Sequence, residues 1–97
     1  MKIIIQKPIR QSANENLLPY ISLFFNKETM IKCLVSKKLN SKIPEGQLEF
    51  YAEMQRVGKT KIMMLFPMIK GKGPDHRIMY FCIHDTTQQY AEIVDST

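Results

Sequence analysis

From residue 47 to residue 55, apolar and polar residues alternate without interruption. Successive side chains of a β-strand point to opposite faces, so this alternation predicts a strand with one buried face. Arg56-Val57-Gly58 follows as a three-residue hairpin loop, which predicts pairing of Glu53 with Lys61. The expected buried face comprises Leu48, Phe50, Ala52 and Met54.

Four further segments have the composition of strands. Residues 60–69 and 77–84 are rich in β-branched, aromatic and methionine side chains, and a basic loop containing glycine joins them. Residues 89–94 are expected to form a last strand at a sheet edge. At the start of the chain, the β-branched run in residues 2–6 favours extended backbone.

Apolar residues at helical spacing predict two helices between the first strand and residue 41. The first covers residues 17–25 with Asn14 or Asn16 as its N-cap, and the second begins at Asn26 and ends at the Asn40-Ser41 break. The expected fold is therefore α+β. It has an N-terminal strand, a helical hairpin, and a three- to four-stranded antiparallel meander with the helices on one sheet face.

The strands predicted at residues 60–69 and 77–84 carry apolar residues on both faces. Two short helices cover only one face, so either the sheet curls over itself or the second face meets another chain. We favour an interface, formed with a second copy of the chain or with another protein. Four of the seven methionines lie in these strands and suit an adaptable contact surface, although methionine also fills irregular cores.

Length and charge bound the class of protein. The 97 residues fit one domain, 1–97, and 14 Lys and Arg against nine Asp and Glu give a net charge of +5, which favours an acidic protein or a nucleic acid as partner. Cys33 and Cys82 lack the spacing of a disulfide framework or a zinc site, which indicates a reducing, cytoplasmic setting without a metal. No apolar stretch approaches the ~20 residues of a membrane helix, and no motif requires a cofactor.

Residues 70–77 form the densest basic segment. Backbone N–H groups and cationic side chains in such a loop can bind phosphate oxygens. The same composition is also ordinary in a solvated hairpin loop. The candidate partner contacts in this loop are Lys70, Lys72, His76 and Arg77.

A mixed cluster of charges follows from the expected strand order. Antiparallel pairing returns His84 towards Lys61, and Glu53 and Arg56 are expected at the same edge of the sheet. Glu53 or His84 could then move protons during attack within RNA, while Arg56 or Lys61 stabilised the phosphorane charge. Such residues are also common on solvated sheet surfaces.

The order of strand, helical hairpin and antiparallel strands in a basic chain of this size resembles the RelE-type ribosome-dependent ribonuclease toxins. The similarity covers most of the chain as an order of elements. Members of that family cleave messenger RNA with scattered basic and acid–base side chains on the sheet. The resemblance implies Arg56, Lys61 and His84 as their counterparts.

No complete catalytic motif is present, so we expect a small non-enzymatic binding or inhibitor protein, of the kind carried by phages and other mobile elements. It would act through an apolar sheet face and basic loops. The alternatives are a RelE-like ribonuclease and a nucleic-acid-binding protein without cleavage. The expected partner contacts are Tyr51, Arg56, Lys59, Lys61, Met63, Leu65, Lys70, Lys72, His76, Arg77 and Tyr80.

Overall fold

The structure is a computed structural model that describes residues 1–7 and 19–96. Nearly all of the regular structure in these residues is β, and the one helix among them is six residues long. In chain order, the elements are β1 (Lys2–Lys7), β2 (Tyr20–Phe24), β3 (Met30–Val35), α1 (Lys37–Lys42), β4 (Gly46–Val57), β5 (Thr60–Ile69), β6 (Gly73–Pro74), β7 (Tyr80–Asp85) and β8 (Ala91–Asp95).

Seven of these strands close into a barrel. In the order β1-β2-β3-β8-β7-β5-β4 each strand pairs with the next, and β4 pairs with β1 to complete the circle. The pairs are antiparallel except β3 with β8, which are parallel and place Cys33 beside Ala91. The two residues of β6 extend the sheet beyond β5. Closure removes the unpaired edges that an open sheet of these seven strands would have.

Alternate residues of the seven strands fill the barrel interior. On β5, Met63 and Leu65 are 3% and 0% exposed, whereas their neighbours Ile62 and Met64 face outward. This period of two is the geometric consequence of strand pleating, and it gives each strand one apolar inner face. The buried cluster comprises Ile3, Ile5, Ile21, Leu23, Cys33, Val35, Leu39, Ile43, Phe50, Ala52, Met63, Leu65, Cys82, Ala91 and Ile93.

The α+β prediction is wrong, because the described residues form strands where the helical hairpin was expected. The second predicted helix contains β3 and only then the short α1, and the first overlaps β2, in which Ile21 and Leu23 are buried and alternate with less buried residues. Apolar runs of five or six residues fit a strand as well as a helical turn, and pairing with distant strands decides between them. The proposed caps Asn14 and Asn16 and the start of the first helix lie outside the described residues.

Barrel closure accounts for one of the two apolar faces of the strands that are apolar on both sides. The sheet curls over itself, which was the alternative to an interface, and the inner faces of β5 and β7 pack against the other strands. No helical layer covers this sheet among the described residues. The outer faces of β5 and β7 carry apolar side chains that are only partly covered.

The hairpin between β4 and β5 has a shorter loop than predicted. Val57 pairs with Thr60, so the loop is Gly58-Lys59, and Lys61 lies beside Arg56 instead of Glu53. Gly58 has φ +61°, and Lys59 is not among the residues with positive φ. A positive φ at the first of the two loop residues alone is typical of a type II′ turn. The expected role of Gly58 is confirmed, but the expected Glu53–Lys61 ion pair is not formed.

Helix α1 covers one end of the barrel, here called the base. Ser36 caps its N-terminus, with its hydroxyl accepting from the Leu39 N–H at 3.1 Å. The Lys7 ammonium, from the end of β1, donates to the carbonyls of Asn40 and Ile43 at 2.5 and 2.8 Å. These bonds anchor the C-terminal end of α1 to the barrel, since the last helical carbonyls lack partners within the helix.

Candidate binding surfaces

The opposite end of the barrel, here called the mouth, collects three loops. The β4–β5 turn, the β2–β3 loop and the β7–β8 loop all lie at this end because of the strand directions. Thr86 links two of them, since both its N–H and its hydroxyl donate to the Lys59 carbonyl at 2.9 Å. The mouth is therefore formed by loops that are tied to each other.

Three basic side chains lie in one row across the mouth. Arg56 pairs with Lys61, and Lys61 pairs with His84, on three successive strands. Their positions have the same parity as the buried residues Met63 and Cys82, so the row belongs to the inner face of the sheet. The expected approach of His84 to Lys61 is confirmed.

Glu53 does not join this row. It is exposed and lies on the opposite face of β4 from Ala52 and Met54. Of the two candidates for proton transfer in the RNA-cleavage hypothesis, His84 is therefore in the basic row and Glu53 is on the outside of the barrel. The resemblance to RelE-type toxins also loses its basis, because it depends on the helical hairpin that the fold lacks.

A cavity of about 290 Å³ lies behind the basic row and opens at the mouth. Its walls are mainly apolar, and Thr29 and Cys82 are also at its surface. The cavity was not predicted, because helices were expected from residue 17 to the Asn40-Ser41 break, and the alternation in β2 and β3 was the available signal. The other lining residues are Phe25, Ile31, Met54, Met63, Lys61 and His84.

His84 has two differently satisfied ring nitrogens. Nε2 lies 3.2 Å from the Gln88 carbonyl oxygen, and Nδ1 is buried without a hydrogen-bond partner among the described residues. A carbonyl only accepts, so Nε2 carries a hydrogen and donates it to Gln88, which orients the ring. An unpartnered buried ring nitrogen is rare in folded proteins, and this one is out of the reach of solvent.

Two thiols lie deeper in the barrel. Cys33 and Cys82 are 0% and 1% exposed, and their Sγ atoms are 3.9 Å apart. The hydrogen bond with Cys82, together with burial and the Cys82 charge, raises the pKa of Cys33 far above its usual range. Cys33 is therefore a protonated thiol at neutral pH, and both cysteines are free.

The outer faces of β5, β7 and β8 carry a second candidate surface. Ile83 and Val94 are 38% and 36% exposed, and the neighbouring apolar side chains are partly exposed. The register brings them together, because Ile62 pairs with Ile83 and Phe81 pairs with Met64 and Val94. We call these five residues the outer apolar patch.

Several expected partner contacts lie elsewhere than on this surface. Met63 and Leu65 are in the interior, where a partner cannot reach them, and Ile62 and Met64 occupy the outside instead. Tyr80 also faces inward, with its ring 6.2 Å from that of Phe50, and burial raises its pKa. The strand alternation is as expected, but the side chains of β5 and β7 that were expected to contact a partner face inward.

The connection from β5 to β7 packs against the outside of the barrel. The His76 ring lies 4.7 Å from the ring of Phe66, and the Asp75 N–H donates to the Pro67 carbonyl at 2.8 Å. The Arg77 guanidinium donates to both carboxylate oxygens of Asp75, at 2.9 and 3.1 Å, which lowers the pKa of Asp75. His76 and Arg77 therefore help to hold this connection in place.

The remaining cations of this connection are available to a partner. Lys70 and Lys72 are exposed, and neither forms an ion pair with a described residue. They lie around a surface cavity of about 590 Å³ with Lys2, whose ammonium is 3.8 Å from the Glu49 carboxylate. Lys59 is exposed in the β4–β5 turn at the mouth. Tyr51 is half-buried on the outer face of β4.

No three His, Cys, Asp or Glu side chains in the described part of the chain are grouped so that they could hold a metal ion. The one helix in those ranges, α1, is not long and apolar enough to cross a membrane.

Comparison with known proteins finds no match to this chain among family models, curated proteins or solved structures.

Proposed function

We propose that this chain is a non-enzymatic binding protein that docks another protein on the outer apolar patch. The observation that carries the proposal is the contiguity of Ile62, Met64, Phe81, Ile83 and Val94 across three paired strands. It would act by occupying the partner's surface and keeping other molecules from it.

The patch has no role in the core that would explain it. The barrel interior is filled by the inward-facing residues of the same strands, and on the outside Ile83 and Val94 stay exposed while Phe81 is half-buried in the isolated chain. Contiguous apolar side chains on an outer surface are typical of contact sites. Met64 adds a flexible side chain that can adapt to the shape of a partner.

The charges around the patch indicate what kind of protein it accepts. Glu53 and Glu92 flank it on β4 and β8, and the basic connection carrying Lys70 and Lys72 leaves from the base end of β5. The net charge of +5 attracts an acidic partner over a distance, while the apolar centre supplies the contact area. A protein with an apolar centre, basic groups opposite Glu53 and Glu92, and acidic groups opposite Lys70 and Lys72 is complementary to these charges.

A photo-crosslinking amino acid tests the site directly in cells that carry the gene. Phe81 is replaced by p-benzoylphenylalanine, and the control carries the same group at Lys32, which is exposed on β3. We expect a discrete protease-sensitive adduct from position 81 and none from position 32. Equal adducts at both positions, or none at position 81, would refute the proposal, and a nuclease-sensitive adduct would favour nucleic-acid binding instead.

Three variants then separate direct contact at the patch from long-range electrostatic attraction. Met64→Glu should abolish the adduct from position 81, whereas Gln47→Glu, at an exposed position of β4 near the base, should leave it unchanged. Replacing Lys70 and Lys72 together by Glu should weaken binding to the identified partner and reduce its dependence on salt. Unchanged affinity in that double variant would remove the basic connection from the proposal.

A further inference from the structure

We infer that the mouth cavity binds a small apolar carboxylate, with its charged head on the Lys61 ammonium and its hydrocarbon body against the apolar walls. This site uses inward-facing residues and is independent of the outer apolar patch and of the protein proposed to dock there. The contact needs neither nitrogen of His84, because Nε2 is held by the Gln88 carbonyl and Nδ1 is out of the reach of solvent.

The cavity has the size and lining for one small hydrocarbon group. Ligand sites are common in barrel mouths, and a dry cavity of about 150 Å³ already holds a benzene molecule. The cavity here is about 290 Å³, and its apolar walls include Phe25, Ile31, Met54 and Met63. A benzene ring that carries a short carbon chain therefore fits within it.

Lys61 lines this cavity without a counter-charge. It lies on β5, is half-buried, and forms no ion pair with any residue in the ranges 1–7 and 19–96. Lysine that is removed from water is usually paired, because burial of an unpaired charge is costly. None of the described residues that line the cavity is acidic. A ligand carboxylate would supply the missing partner.

The neighbouring charges favour an anion at this position. Arg56 lies next to Lys61 in the basic row and adds a second positive charge at the mouth. Two carboxylates also lie at this end, Glu28 in the β2–β3 loop and Asp85 at the end of β7, but both are exposed and neither pairs with Lys61. Adjacent positive charges at a partly enclosed apolar site attract an anion more strongly than an isolated exposed lysine does.

The walls and the charge together define the ligand class. Strongly hydrated ions such as inorganic phosphate are disfavoured, because apolar walls remove water without replacing its hydrogen bonds. A neutral hydrocarbon leaves Lys61 without a counter-charge, and an amine is repelled by it. A monocarboxylate with an aromatic or short aliphatic body satisfies both the charge and the walls.

Three probes with the same hydrocarbon body test this class in an NMR titration of the isotope-labelled full chain. They are 3-phenylpropionate, 3-phenylpropan-1-ol and 3-phenylpropan-1-amine. We expect saturable amide shifts with the acid at a Kd of about 0.1–1 mM, roughly tenfold weaker binding of the alcohol, and still weaker binding of the amine. Acetate has the charged head without the body and should give no saturable shift at about 10 mM. Equal binding of acid and alcohol, acetate binding equal to that of 3-phenylpropionate, or no saturable shift with 3-phenylpropionate overturns the inference.

Contacts of the bound acid establish which face of the sheet it occupies. Backbone amides of β5 respond to ligands on either face, so the ring protons are located by nuclear Overhauser effects to side-chain methyl groups. We expect contacts with Ile31 and Met63, which line the cavity, and none with Ile62 or Met64 of the outer apolar patch. Contacts confined to the outer apolar patch would overturn the inference.

The variant Lys61→Met tests the charged contact. It keeps a long unbranched side chain, so we expect about tenfold weaker binding of 3-phenylpropionate and unchanged binding of the alcohol, which also shows that the cavity is intact. Lys59→Met is the matched control, since it removes an exposed cation from the turn and should change the affinity for the acid less than about twofold. Equal effects of the two substitutions, or no effect of Lys61→Met, would show that Lys61 does not hold the carboxylate.

Discussion

Truncation of one inward-facing side chain should cost far more stability than truncation of one outward-facing side chain on the adjacent strand. Leu65 is 0% exposed on β5, and Ile83 is 38% exposed on β7. Leu65→Ala removes three carbon atoms from the interior. At about 0.8 kcal/mol for each buried CH₂ group, the lost transfer free energy is about 2.4 kcal/mol. The cavity left behind raises the expected loss to about 3–4 kcal/mol.

The matched control is Ile83→Ala, which removes the same number of carbon atoms from the outer apolar patch. Its expected cost is about 1 kcal/mol, because much of that surface already contacts water in the folded chain. Each kcal/mol shifts Tm by about 4–8 °C for a chain of this size. Leu65→Ala should therefore lower Tm by roughly 12–30 °C and Ile83→Ala by roughly 4–8 °C.

Thermal and urea unfolding of the two variants, followed by circular dichroism, provide the comparison. In a sheet whose β7 packed Phe81 and Ile83 against helices, and whose β5 turned Leu65 to a partner, the order of the two losses would be reversed. Equal or reversed losses would thus refute the assignment of inner and outer faces.

Three further predictions concern individual elements. Lys7→Met should cost about 1–3 kcal/mol and increase amide exchange in α1, because two helix carbonyls lose their donor, and exposed Lys2→Met, its control, should change far less. Gly58→Ala should cost about 1–2 kcal/mol in urea unfolding through its φ of +61° alone, since an added Cβ meets nothing within 4 Å, and a much larger loss would mean a contact there. Thiol titration in denaturant after mild oxidation should still find both Cys33 and Cys82 free. Their strands flank β8, which sets the backbones about 9 Å apart, beyond disulfide reach, and a formed bridge would contradict that strand order.

The second half of the chain could be predicted from its sequence in outline. The strict alternation of β4 and the glycine at position 58 are local signals, and both β4 and β5 lie where they were expected. The predicted strand register was wrong because the turn is shorter than expected. The loop has two residues and not three, and Lys61 therefore pairs with Arg56 instead of Glu53. Local sequence favours a hairpin there but does not fix the loop length.

The first half could not be predicted from local pattern. The apolar residues of β2 and β3 recur at spacings that fit either period over five or six residues, and their strand form depends on pairing with β1 and β8. The site was missed for a related reason. On β7, Phe81, Cys82 and Ile83 are all apolar, so the sequence does not indicate which face is inside, and closure of the barrel turns Cys82 and His84 inward.

The most direct test of the closed barrel is a set of interstrand nuclear Overhauser effects in a uniformly labelled sample. We predict backbone contacts between Cys33 and Ala91, from the parallel pair, together with contacts between Ile5 and Leu48, from the pairing of β1 with β4. These pairs are distant in sequence and meet when the sheet closes. Their absence, with sequential helical contacts through residues 20–35 instead, would contradict the barrel and both binding sites derived from it.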